Sequence, residues 1–307
     1  MTNRFASQGD TPESFLPVVN APFQFWSGVV TDTRNAYRQR ELLRSLVVRE
    51  LRQRYRGSLL GWGWALIRPL VMLAVYGVAV GIFLGAGDVI PQFGVYLYTG
   101  LIAWGYFSTI VSGCIAALPA NAGLINKAAF QKELLIVAVV VVAIIDLVIQ
   151  GSVLIIAYAI YGQWPGIDTL WWGFFALIAL TVIGVGLGLF LSATNVYFRD
   201  IGYLTDVALQ VGFWAAPIIY SFGMVKASLA SQPFLLTLYS ANPAVPAVSA
   251  FRFALWPSAA DPASAGQLMS SSDVFALLSV SVLAGLLLMW LGQRYFARLS
   301  GSLAQGL

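Results

Sequence analysis

The sequence contains no histidine, and so lacks the commonest general base, the imidazole proton relay and the commonest metal ligand. Histidine-based triads are excluded, and hydrolase readings weaken with them. The single cysteine, Cys114, lies in an apolar run and can form no intramolecular disulfide, so a packed core thiol is its simplest reading. Charged residues are only 10% of the 307, against 59% hydrophobic, and the mean hydropathy is +0.80. Such a chain is not an ordinary soluble domain; it reads as a polytopic membrane protein. Lysine is scarce, and the three present, Lys127, Lys132 and Lys226, follow Asn126, Gln131 and Val225. A phosphate-binding P-loop needs glycine immediately before its lysine, so the sequence carries no such ATP site. It also has no Asp-x-Asp pair, which argues against a polyprenyl-dependent glycosyltransferase working through a metal.

What remains is mostly apolar sequence in long runs. About 20 apolar residues cross a bilayer as a helix, and six candidate spans follow: 64–86, 96–117, 134–161, 170–193, 204–223 and 273–293. The expected fold class is an all-α membrane protein with six transmembrane helices, an N-terminal amphipathic interface helix, and short re-entrant helices in the last outer loop. Those re-entrant helices are FLLTLY (234–239) and AVPAVSAFRFALW (244–256), each too short to span and separated by Asn242-Pro243. A surface loop with an amphipathic turn is the plainer alternative.

Residues 1–40 are polar and proline-spotted, with no apolar stretch behind a basic start, so no cleavable signal peptide is expected. The placement of lysine and arginine sets the orientation. With 1–63 inside, that side holds nine arginines there, Lys127 and Lys132 in the 118–133 loop, Arg199 after the fourth span, and Arg294 and Arg298 in the tail. The opposite face has only Lys226 and Arg252, while Arg68 sits at the mouth of the first span. Both termini are therefore expected in the cytoplasm. The expected divisions are a cytoplasmic segment at 1–40, an interface helix at 41–60, the spanning domain at 64–293 and a tail at 294–307.

Residues 41–58, ELLRSLVVRELRQRYRGS, put Leu42, Leu43, Leu46, Val47 and Leu51 on one side of a helix, with Arg49, Arg52 and Arg56 opposite. Glu50 and Arg54 fall on or near the apolar arc, so one edge is suited to face protein. Anchoring to anionic lipid explains the basic face without any further role. Gly57, Gly61 and Gly63 allow a sharp turn, Trp62 and Trp64 suit the interface, and Pro69 suits the first turn of a span.

This stretch, Arg54-Tyr55-Arg56-Gly57-Ser58-Leu59-Leu60-Gly61-Trp62-Gly63-Trp64 followed by Pro69-Leu70, resembles the membrane subunit of ABC-2 type polysaccharide exporters, the permeases for O-antigen, capsule, teichoic acid and galactan. Three further stretches resemble the same family in the same order: Asn121 to Lys127 (N-x-x-L-I-x-K), Asn195 to Asp200 (N-x-x-F-R-D), and Asn242-Pro243. One departure is visible, since the family often continues into Phe-Pro where this chain has Phe130-Gln131. The resemblance covers about residues 40–295.

The resemblance implies a permease without its own motor, not an enzyme. It implies a homodimer joined by two copies of a cytoplasmic ATPase that binds ATP and Mg, and export of a lipid-linked polysaccharide on a polyprenyl diphosphate across the bacterial inner membrane. It implies no cofactor on this chain and no metal or nucleic acid; membrane lipids are the other partner. Arg52, Arg54, Arg56, Trp62, Trp64 and Arg68 become candidates for the substrate entrance. Tyr96, Tyr98, Trp104 and Tyr106 become channel aromatics, although interface belts explain such rings equally well. Leu124, Ile125, Lys127 and Phe130 become the ATPase-coupling contact, and Asn242 and Pro243 an outer gate. Asn195, Arg199 and Asp200 form a cytoplasmic junction in which capping and gating are both open.

Asp146 lies deep in the third span, where a carboxylate is costly and must face protein, a wet cavity or a partner; Arg68 is a candidate partner, and proton coupling is an alternative. Gly77-x-x-x-Gly81-x-x-x-Gly85 and Gly184-x-x-x-Gly188 allow close helix approach. A drug or small-lipid exporter of the same superfamily remains the competing reading.

Overall fold

The computed structural model describes residues 40–55, 57–125, 132–261, 264 and 266–299. Among them the regular structure is helical throughout. Arg56, Lys127 and Phe130, with the rest of 126–131, the segment 1–39 and the end of the tail, lie outside the described residues.

The interface helix α1 (Arg40–Tyr55) turns its apolar arc inward as the pattern requires. Leu46 and Leu51 are buried, and Leu42, Leu43 and Val47 pack against the core. The turn into the first span uses Gly57 at φ 75 and Gly61 at φ 48, left-handed positions that side chains disfavour. A 3-10 turn at Gly61–Gly63 leads into α2 (Trp64–Tyr76), which continues through a π-helical stretch, Gly77–Phe83. Pro69 lies inside α2 and not in its first turn, because the helix already begins at Trp64. The expected glycine stripe is reduced to one contact. A Cβ on Gly81 would stand 2.8 Å from the Phe93 ring, Gly77 faces open space, and Gly85 ends the span at φ 70.

After the short α3 (Ala86–Val89) come the central helices: α4 (Phe93–Ala120), the turn α5 (Ala122–Ile125), α6 (Glu133–Tyr161) and α7 (Leu170–Tyr197). α7 packs against α4, α11 (Ala244–Leu255) and the last helix, α12 (Ser271–Leu299). Glycines set these distances: a Cβ on Gly188 would lie 2.5 Å from Cys114 Cβ, and one on Gly186 would meet the α12 backbone at Met289 N, 2.7 Å away. Cys114 is the packed core thiol that its apolar run suggested.

Among the described residues, five helical stretches are long and apolar enough to cross a membrane, and six if one bent pair counts as a span, so this is a multi-pass membrane protein. The segment expected as the fifth span, 204–223, is not among them. α8 (Asp200–Trp214) has 15 residues, about 22 Å at 1.5 Å per residue. Pro217 explains why: it has no N–H to bond back along the helix, and its ring disfavours helical geometry at Ala216. The chain bends through 215–220 before α9 (Phe222–Ser228), which Ser221 caps by accepting from the Met224 N–H. The bent pair is α10 (Pro233–Ser240) with α11, turned by 68° at the Asn242-Pro243 break.

Candidate functional site

α2, α4, α6 and α8 line a half-open cavity of about 840 Å³, and the end of α1 reaches it. Its polar lining includes three pairs spaced four apart, Ser108 and Ser112 on α4, Asp146 and Gln150 on α6, and Asp206 and Gln210 on α8, beside Thr109, Ser58 and Arg54. That spacing places both members of each pair on one helical face. Trp64, Arg68 and Tyr76 of the first span, Trp104 of α4 and Phe213 of α8 stand in the same wall, with Met72, Leu101 and Leu209 adding aliphatic surface between them.

Asp146 is 7% exposed, and a bare carboxylate there would be strongly disfavoured. Its Oδ2 is paired with Arg54 Nη1 at 2.5 Å, joining the last turn of α1 to the middle of α6. Arg68 lines the same cavity, but the partner of Asp146 is Arg54, the residue that falls off the basic face of α1. At the turn into the first span, Trp64 Nε1 donates to Ser58 Oγ at 3.1 Å.

The entrance candidates separate. All five described ones are exposed, but Arg54, Trp64 and Arg68 line the cavity, whereas Arg52 and Trp62 lie outside its lining. Three of the four channel aromatics are packed inside the protein. Tyr96, Tyr98 and Tyr106 are 0%, 1% and 4% exposed. Tyr96 and Tyr98 donate to the carbonyls of Tyr220 and Gln150, each at 3.1 Å, and Tyr106 bonds Thr181 Oγ1 at 2.7 Å. Trp104 alone of the four borders the cavity. In the first inner loop, Ile125 is buried and Leu124 half-buried against the core, leaving Gly123 outermost in that turn.

At the 195–200 junction the capping residue is Asn195, whose Oδ1 accepts from Gly202 N–H at 3.1 Å. Asp200 stands in the first turn of α8, where its charge suits the helix dipole, and Arg199 is exposed at the N-cap position without a capping bond.

A second polar cluster supports the broken segment after α8. The carbonyls freed there need donors, since water is scarce at that depth. Asn242 Nδ2 donates to Ala215 O at 3.1 Å, and Arg252 Nη2 donates to Ile218 O at 2.8 Å. Tyr96 takes Tyr220 O, and Tyr220 takes Trp214 O at 2.6 Å. Arg252 is wholly buried, with its guanidinium 3.6 Å from the Tyr96 ring centroid. A Cβ on Gly100 would press on Arg252 Nη2 at 3.2 Å. Asn242 also accepts from Ala244 N–H, so it ties the start of α11 to the break.

Sequence reading missed Arg252, taking it as an outer-face charge; an arginine within the apolar run AVSAFRFALW was the available signal. It also missed Ser108, Ser112, Asp206 and Gln210, whose four-residue spacing was visible. Among the described residues no three carboxylates or thiols gather to hold a metal ion.

Comparison with known proteins covers most of this architecture. The ABC-2 type transporter family matches residues 41–256, from α1 to the end of α11. The O-antigen export system permease protein RfbA of Myxococcus xanthus is 30% identical over 263 residues, 86% of this chain and 94% of that protein. A protein of the same description from Klebsiella pneumoniae is 24% identical over 185 residues, 60% of this chain and 71% of its own. The polysialic acid transport protein KpsM of Escherichia coli is 24% identical over 228 residues, covering 71% and 83%.

Proposed function

This chain belongs to the ABC-2 type transporter family, and on that premise we propose that it is the permease subunit of a polysaccharide exporter. Two copies bind two copies of a cytoplasmic ATPase, which holds the ATP and Mg, and together they carry a lipid-linked glycan outward across the inner membrane. The observation that carries this reading is the cavity of about 840 Å³, in which rings and aliphatic side chains stand beside hydroxyls, amides and charges, among helices whose outer faces are apolar. A glycan, with hydroxyls and apolar C–H faces, suits such a mixed lining.

The first span supports pairing with a second copy. Its apolar side chains Val71, Val75 and Ile82 are 53%, 53% and 71% exposed, beside a polar cavity that lipid tails cannot solvate. A second copy set against α2 and α8 turns two half-lined cavities into one passage. Arg54 and Arg68 suit the diphosphate of a polyprenyl carrier by charge and fork geometry. The inner loop 118–133 and α1 receive the motion of the ATPase.

The test is deletion of the gene with complementation. Cells without this chain should lose surface polysaccharide and accumulate lipid-linked glycan inside, and the chain should co-purify with an ATPase. Normal surface glycan with altered drug efflux would favour a small-molecule exporter instead.

A further inference from the structure

The last helix ends in two arginines that the packing leaves unpaired. Arg294 and Arg298 stand one turn apart near the end of α12, and both are exposed. Neither has an ion pair or a hydrogen bond among the described residues, and no Asp or Glu occurs in the sequence after Leu299. Val280, Leu283, Leu287 and Leu291 lead up to them along the helix, at 61%, 67%, 58% and 50% exposure. These six positions are spaced three or four apart, so they form one face. From Val280 to Leu291 that face runs about 16 Å at 1.5 Å per residue, close to the hydrocarbon depth of one leaflet, about 15 Å. An apolar stripe of acyl-chain length thus ends in a pair of cations at headgroup depth.

Arg294 does not reach away from that stripe, as long basic side chains at span ends do when they snorkel to water. Its guanidinium lies 4.3 Å from the Trp290 ring centroid, one turn back along the helix. Helical side chains lean toward the N-terminus of their helix, and the indole holds the charge in that position. A cation kept at the edge of the hydrocarbon is stabilised by an anion at the same depth, and the guanidinium fork matches a phosphate. No residue of α12 lines the cavity, so this face stands apart from the passage.

We propose that this face binds one anionic phospholipid, with its phosphate held by Arg294 and Arg298 and an acyl chain laid along Val280 to Leu291. The proposal is independent of the glycan-export reading and holds for either orientation of the chain in the membrane.

The test is native mass spectrometry of the full chain released from detergent micelles, titrated with dioleoyl phosphatidylglycerol or dioleoyl phosphatidylcholine. The two lipids share acyl chains and differ in headgroup charge. The first phosphatidylglycerol should bind wild type at least about five-fold more tightly than phosphatidylcholine. Arg294→Gln and Arg298→Gln should each weaken it about five-fold, the worth of one basic residue at a membrane surface, and the double variant about 25-fold. Trp290→Ala, which alters no charge, should also weaken it, and Trp290→Phe should weaken it less. Lys226→Gln, an equal loss of charge in the exposed part of α9, should change nothing. Either arginine variant serves if the other does not fold. Equal binding of the two lipids overturns the site, as does unchanged binding in a folded arginine variant or an effect of Lys226→Gln as large as that of Arg294→Gln. Displacement of the lipid by inorganic phosphate overturns its assignment as a lipid site.

Discussion

The Arg54–Asp146 pair should respond asymmetrically to losing one partner or the other. The Asp146 side chain is 10% exposed and that of Arg54 28%. Arg54→Met strands a carboxylate that is nine-tenths buried. Breaking a buried pair in this way costs about 3–5 kcal/mol. Protonation sets a ceiling, since forcing a proton onto an ordinary carboxylate at pH 7 costs about 4 kcal/mol, and a loss of about 3 kcal/mol is expected. Asp146→Asn leaves an arginine at the cavity edge that can swing into water. It forfeits only the net pairing, about 1 kcal/mol. Replacing both, as Arg54→Met with Asp146→Leu, removes the desolvated charges together and should fall within about 1 kcal/mol of wild type. Equilibrium unfolding in mixed micelles, followed by helical circular dichroism, measures all three. If Asp146→Asn proves as damaging as Arg54→Met, or the double variant as damaging as the worse single one, the exposure argument is wrong.

Other contacts make equally direct predictions. Gly188→Ala drives a methyl to 2.5 Å from Cys114 Cβ and should cost about 1–3 kcal/mol of stability; adding Cys114→Gly should recover part of the loss in the same unfolding assay. Arg252→Met leaves the Ile218 carbonyl without its donor, so limited proteolysis should cut within 215–221 in the variant and not in wild type, while far-ultraviolet helicity stays near normal. Asn195→Ala removes the bond to Gly202 N–H and should lower stability by about 1 kcal/mol, whereas Arg199→Ala, which removes no cap, should leave it within about 0.5 kcal/mol.

Length and hydropathy alone were enough to read an all-α membrane protein, an amphipathic α1 and helix breaks at Gly57 and Asn242-Pro243, because these depend on local composition and backbone chemistry. They were also enough to mark Asp146 as a residue that must face something polar, since the cost of a charge in lipid does not depend on its partner. The arc of α1 even showed that Arg54 points off the basic face. Which cation meets Asp146 was a different kind of question. Arg54 and Arg68 lie 92 and 78 positions before it in the sequence, and only the packing of α1 against α6 brings Arg54 within 2.5 Å.

The same holds for the rings and the broken helix. Tyr96, Tyr98, Trp104 and Tyr106 are alike in sequence as aromatic residues of one apolar helix, yet three are closed in the core and one borders the cavity. The side of α4 on which neighbours stack makes that difference. The sequence by itself determined where most helices can form and which residues are too costly to leave in lipid, while the interruption at Pro217 was read through as part of a span. Only the tertiary structure decided that Arg252 and Asn242 donate to the carbonyls of Ile218 and Ala215 in the break after α8, and that Asp146 meets Arg54. Local rules concern each residue's own backbone and solvent; partner and depth arise from contacts between segments far apart in the chain.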